Sequence, residues 1–563
     1  MKKKCVLVVF LVCGIASGRA SELIDLINTF KADTYALKRT YKMEESAEYY
    51  ERFTVFYKDW EQQLGQVDFK GLSAQGKIDY VLLKNLIDKE SYLLSLDYKS
   101  FKEIAHVTNF AEGLYKFIKD RRRGKRPASN ELADLFTAAG RSVDQQMETL
   151  KNTTFKDWMQ AEKAAKSIGS LREGLKEAYG FYFDYDPEFT WWMEKPYASV
   201  EEKLKTYEEF LGKNYSDTSL KDDGSGIIGK PIGRNALIEN LKHEFIPYTP
   251  EELIAAAEKQ FDWCKAEMIK ASEEMGYGKD WKAALEHVKN TYVPPGEQPE
   301  AITKLYDESV QFIEERNLIT LPEMAKENWG MVMMTPERQK VNPFFTGGRD
   351  ISISYPTKGM SQEDKLMSMR GNNPNFSFPT VQHELLPGHN LQFFMTSRHK
   401  SYRSVFGTPF WGEGWALYWE IILWNKKFPQ TPEQKLGMLF WRIHRCARII
   451  FSLKFHLGEM TPQECIDLLV NEVGHEYANA EAEIRRSFTT SYPPLYQLAY
   501  MMGGLQFYAL RDEMLVKGWT EREFHDRVMH ENTMPIEMLR NLLLKKEISK
   551  DYKTNWKFST DFN

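Results

Sequence analysis

The chain has 563 residues, 42 % of them hydrophobic, enough to bury a large core, and its length accommodates roughly two to four domains. A net charge of −5 at pH 7 argues against a nucleic-acid-binding protein. The one dense basic cluster, Arg121-Arg122-Arg123-Gly124-Lys125-Arg126, sits in a Gly- and Pro-containing loop, where its charges read as solvated.

At the N-terminus, Lys2-Lys3-Lys4, the apolar run 5–15 and Gly18-Arg19-Ala20 have the layout of a secretory signal peptide, 1–20, cleaved after Ala20. Export to the periplasm or the extracellular space follows. Lipoprotein anchoring on Cys13 is the weaker alternative, because Val12 is a poor residue before a lipidated cysteine. No later run is long and apolar enough for a transmembrane helix in the mature chain. Cys264, Cys446 and Cys465 are too few and too scattered for a disulfide framework and are expected as buried thiols.

From there the pattern is overwhelmingly helical. Apolar residues at three- and four-residue spacing predict helices over 45–64, 76–96, 130–152, 161–179, 250–275 and 433–455. The aromatic stretch 181–192 reads as core. Gly224-Ser225-Gly226-Ile227-Ile228-Gly229 matches G-x-G-x-x-G, but Lys221-Asp222-Asp223 precedes it and Lys230-Pro231 follows, so no strand enters and no helix leaves. It is a loop. With the polar stretch from Asn214 it suggests a linker, 216–233, between an N-terminal helical region, 21–215, and a second helical region, 234–563. The clearest strand is 350–355, alternating after Gly347-Gly348. An edge strand there could accept a peptide backbone, with Tyr355 as a substrate-binding candidate, or be no more than a small hairpin.

His383-Glu384-Leu385-Leu386-Pro387-Gly388-His389 is the most informative stretch. Two imidazoles flanking a carboxylate can hold a metal and activate water beside it. In the pattern H-E-x-x-H the histidines share a helix face; here they are six residues apart and would diverge on an unbroken helix. Pro387 lacks an N–H and clashes with the carbonyl of His383, while Gly388 accepts backbone angles other residues resist, so the helix is expected to be distorted between the two. A competing pair, His525 and His530, has no breaker between its members and reads as a solvated helix face. Taken alone, the heptapeptide reads equally as a helix end stopped by Pro-Gly; a third ligand decides.

Trp411-Gly412-Glu413-Gly414-Trp415-Ala416-Leu417-Tyr418-Trp419-Glu420 follows the turn Gly407-Thr408-Pro409 and opens an apolar helix. Glu413 and Glu420 share one face, but seven residues span about 10.5 Å of helix axis, too far for both to hold one ion. Glu413, between glycines, is therefore read as the ligand and Glu420 as the partner that orients a histidine. Region 234–563 becomes the metal-bearing region, with Zn2+ on His383, His389 and Glu413 and with Glu384 as general base for water.

These motifs resemble the bacterial family catalogued as domain of unknown function 885. So do Ile232-Gly233-Arg234-Asn235-Ala236-Leu237, the run from Glu244-Phe245-Ile246-Pro247 to Leu253, and Phe524-His525-Asp526 with Met534-Pro535, over about 225–545. That family looks like a distant relative of the helical gluzincin peptidases, in which the liganding glutamate has a second glutamate seven residues on, as Glu413 and Glu420 do. The resemblance implies a mainly α fold, large, helical and two-lobed around a central cleft, with a small β element near the metal helix. It also implies a late-helix tyrosine, Tyr500, as donor to the oxyanion. Arg486 is a candidate clamp for a substrate carboxylate and His456 a further donor. The chain departs from the family at Leu495 and Tyr496, where Gly-Gln is common, and at Ser487, where Tyr is common. The expected activity is that of an exported zinc metallopeptidase acting on short peptides. Two alternatives stay open: a non-haem iron enzyme, which uses the same ligand types, and a non-catalytic, metal-stabilised peptide-binding protein.

Overall fold

The structure, a computed structural model, describes residues 22–216, 222–341, 346–347, 350–489 and 492–561; the signal segment with Cys13 lies outside the described residues. Helices dominate, and several start where local chemistry favours it. Thr249-Pro250, Thr431-Pro432 and Thr461-Pro462 each open a helix. The threonine caps a backbone N–H three residues on, Glu252, Gln434 or Glu464 caps back, and proline stands where no N–H is needed. The periodic segments fold as Ala47–Gly65, Ala74–Ile104, Ser129–Leu150, Trp158–Tyr182, Pro250–Glu274 and Pro432–Leu457. Among the described residues no helix is long and apolar enough to cross a membrane, and Cys264, Cys446 and Cys465 are buried and free.

Two hydrophobic cores divide the chain, though not at the expected linker. The smaller is built from residues between Phe101 and Leu211, joined by Tyr50. The larger gathers Leu23 to Ile87, apart from Tyr50, together with Ile227 to Phe558. The first helices therefore belong with the C-terminal region, which corrects the division into 21–215 and 234–563. Helix Ala74–Ile104 is the physical reason. At 31 residues it is about 46 Å long. Its first half buries Ile78 and Leu83 in the larger core and its last turn buries Phe101 and Ile104 in the smaller. A buried charge cluster fastens it: Arg403, 0 % exposed, donates from Nε to Asp79 Oδ1 at 2.7 Å and from Nη1 to Glu531 Oε2 at 2.8 Å.

Three local readings are corrected. Strand Asp350–Ile353 is shorter than 350–355 and pairs in parallel with Gly330–Met333, which has no clear alternation to reveal it. On its other side Ser352 exchanges two backbone hydrogen bonds with Thr346, so the edge is already occupied at Ser352. His525 is buried rather than solvated, bonded at 2.5 Å to the Tyr418 hydroxyl and at 2.7 Å to the Leu318 carbonyl. Within 181–192, Phe189 is buried but Phe181, Tyr185 and Trp191 are exposed, because the stretch turns between helices Trp158–Tyr182 and Pro187–Leu211.

Candidate metal centre

Helix Pro374–Glu384 carries His383 in its last turn and stops one residue later; His389 opens the next helix, His389–Thr396. The expected single distorted helix is thus two helices, joined at a break that contains a cis Leu386–Pro387 peptide. The chain folds back so closely that a Cβ at Gly388 would lie 1.9 Å from the His383 carbonyl oxygen, so only glycine fits. Trp415 donates from Nε1 to the Pro387 carbonyl at 2.8 Å, tying the break to helix Pro409–Asn425, which carries Glu413. That helix meets Tyr496–Val516 at two glycines. A Cβ on Gly414 would stand 2.5 Å from Gly503 Cα, and one on Gly503 would stand 2.2 Å from the Phe410 carbonyl oxygen. This close crossing brings Tyr496 and Tyr500 beside Glu413.

Glu413 Oε2 lies 3.2 Å from His389 Nε2 and 3.5 Å from His383 Nε2, and one donor atom from each of the three residues falls within 4.8 Å of the others. A tetrahedral ion with bonds of about 2.0–2.1 Å sets neighbouring ligand atoms about 3.3 Å apart, so the carboxylate-to-imidazole separations fit a zinc-sized ion. Both rings are oriented from behind. His383 Nδ1 faces Glu420 Oε1 at 2.8 Å, and His389 Nδ1 faces Gln392 Oε1 at 2.9 Å, whose Nε2 donates to the Trp411 carbonyl at 3.1 Å. A proton kept on each Nδ1 leaves each Nε2 for the ion. Two imidazoles and one carboxylate are the donor set of zinc held with an open position.

Burial disfavours a charge on His383, yet the carboxylates of Glu413 and Glu420 outweigh it and push the imidazole up to about 9. Burial opposes the charge on His389 too, and Glu413 again overcomes it and raises the pKa. Burial raises the Glu413 carboxyl, but the two imidazoles hold it well below the usual carboxylate range. The donors face a cavity of about 350 Å3 that Glu384, Tyr500 and Arg486 also line.

The expected residues therefore separate into two groups. Glu384 is in the cavity, with Gly347 packed so tightly on it that a Cβ there would lie 2.0 Å from the carboxylate oxygen. The Tyr500 ring stacks 6.1 Å from the His383 ring, and burial together with Glu413 pushes its hydroxyl up to about 12. Arg486 is ion-paired with Glu483. His456 and Tyr355 lie elsewhere, which corrects their assignment. His456 is eleven residues beyond Arg445 on one helix, about 16 Å along the axis, and is buried against Phe455 and Phe488. Tyr355 is 2 % exposed and donates to the Val293 carbonyl.

Residues not anticipated are as telling. Tyr496 donates to Glu413 Oε1 at 2.6 Å, so a position where the chain departs from the family pattern holds the Glu413 carboxylate in place. Arg445 and Arg448 line the cavity and Gln392 orients His389. Their signals were present: Gln392 follows His389 by three residues on the same face, and Arg442, Arg445 and Arg448 recur every third residue of a largely apolar helix.

No match to a curated protein was found. Two solved structures share the fold, each a "putative lipoprotein". One, of unknown function, is from Shewanella oneidensis, 20 % identical with a TM-score of 0.69, over 93 % of this chain and 100 % of that one. The other is from Colwellia psychrerythraea, 14 % identical with a TM-score of 0.59, over 93 % and 98 %. The sequence profile of the bacterial proteins of unknown function DUF885 matches residues 38–543, and the chain belongs to that family.

Proposed function

We propose that the chain is an exported zinc-dependent metallopeptidase that hydrolyses peptide bonds in short peptides. The observation that carries this reading is the convergence of His383 Nε2, His389 Nε2 and Glu413 Oε2 in one cavity with Glu384, the residue next to the first ligand. Zinc held there supplies Lewis acidity, polarising a carbonyl and acidifying a water. Glu384 takes a proton as the water oxygen adds to the peptide carbonyl carbon, and gives it to the amine nitrogen as the C–N bond breaks. Tyr500 donates to the carbonyl oxygen as it gains charge, while Tyr496, Glu420 and Gln392 hold the ligands. A cavity of about 350 Å3 takes a short peptide segment rather than a folded protein. Export rests on the 1–20 segment and agrees with the description of the two structures that share the fold.

The test is incubation of the purified mature chain with a mixed peptide library, with and without chelator. Cleavage that chelation abolishes and zinc restores is the expected result. A zinc-loaded protein that cleaves nothing contradicts the proposal.

A further inference from the structure

The cavity has a basic side that this hydrolytic scheme leaves unused. Arg445, Arg448 and Arg486 all line it. Glu483 answers two of them: its Oε1 lies 2.8 Å from Arg448 Nε and accepts from Gln497 Nε2 at 3.0 Å, and its Oε2 accepts from Arg486. Arg445 is different. It is 7 % exposed and among the described residues no carboxylate forms an ion pair with it, while its buried Nε, like Arg448 Nε, has no hydrogen-bond partner. Its guanidinium stands 4.5 Å from the Tyr500 ring centroid and 5.4 Å from that of Trp441, which hold it in place but carry no negative charge. Glu413 and Glu420 act on it only from a distance; a guanidinium stays protonated at any working pH, so its burial without a directly paired carboxylate is a standing cost that an incoming one relieves.

We propose, resting on the peptidase reading, that Arg445, with Arg448 and Arg486 beside it, binds the free α-carboxylate of the substrate, so that the chain cleaves peptides from their C-terminal end. Reach and enclosure both favour this. The Tyr500 ring neighbours the His383 ring at 6.1 Å and the Arg445 guanidinium at 4.5 Å. An extended residue covers about 3.5 Å, so the carboxylate sits one or two residues beyond the bond that is cut. Phe393, 54 % exposed, marks the mouth of the cavity, whereas Arg445 and Arg448, 7 % and 4 % exposed, mark its buried end. A peptide that enters past Phe393 ends at the arginines, and the product released is an amino acid or a dipeptide.

Calorimetric titration of the metal-free protein with Ala-Phe and with its amide Ala-Phe-NH2 tests the anion site without metal or turnover. Binding of the acid about 10- to 100-fold tighter than the amide is expected, with that preference lost in Arg445→Met and partly restored in Arg445→Lys. Equal affinity for acid and amide, or no binding of either at millimolar concentration, overturns the proposal. Cleavage assays on zinc-loaded protein separate the two readings. Acid-selective binding without any cleavage refutes the peptidase and spares the carboxylate site; cleavage that treats free and amidated C-termini alike does the reverse.

Discussion

Loading this site with zinc must expel a proton from His383. With its pKa pushed up to about 9 by Glu413 and Glu420 against the opposing effect of burial, the ring is roughly 99 % protonated at pH 7 in the metal-free protein. Zinc takes only the neutral ring. His389 is shifted in the same direction. Binding at pH 7 should therefore release about one proton per ion from His383, with any from His389 and the zinc-bound water added to it, and the apparent Kd should rise about tenfold for each pH unit below 9 from His383 alone. Zinc titrations by calorimetry at pH 7, repeated in buffers of different ionisation heat, count those protons directly. The share released from His383 should disappear as pH rises through 9, leaving only the proton that zinc-bound water gives up, and no release at pH 7 would refute the reasoning. The same shift acts on stability. The folded-state pKa of His383 lies above its unfolded value near 6.5, so its contribution is fully present below about pH 6.5 and is lost as pH rises through 9. The amount is roughly 3 kcal/mol. Thermal unfolding of chelated protein should show the Tm falling across that window, in which protein saturated with zinc has no proton left to lose from His383.

Glu384→Gln should abolish peptide turnover while zinc stoichiometry stays at one per chain; retained turnover removes Glu384 as the base. Tyr496→Phe deletes the 2.6 Å bond to Glu413 and should weaken zinc binding about 10- to 100-fold in a competition titration with a chromophoric chelator. Arg403→Met leaves Asp79 and Glu531 buried without their shared cation and should destabilise the fold by about 3–5 kcal/mol in urea unfolding. Gly503→Ala forces a Cβ against the Phe410 carbonyl and should destabilise by about 1–3 kcal/mol, with zinc affinity falling too because the crossing positions Glu413.

That His383, His389 and Glu413 come together was legible in the sequence, because helix geometry leaves few ways to do it and Pro387-Gly388 stands where the backbone has to turn. Glu420 was legible by the same spacing argument and meets His383 Nδ1 at 2.8 Å. What lay beyond one or two helices was not. Tyr496 reaches Glu413 only because Gly414 and Gly503, 89 positions apart, let two helices touch, and no local pattern encodes that pairing. His525 read as part of a solvated face because no helix breaker parts it from His530, yet it packs inward onto Tyr418. The division of the cores failed similarly: Asp79 is joined to Arg403 and through it to Glu531, contacts more than 300 positions away that hydrophobic periodicity does not carry.

X-ray absorption at the zinc edge of the loaded protein tests the central claim most directly. The account predicts a shell of nitrogen and oxygen at about 2.0–2.1 Å, with outer-shell scattering from two imidazoles and the loss of one of them in His389→Ala. Sulfur scattering near 2.3 Å, or a spectrum unchanged by His389→Ala, would contradict it.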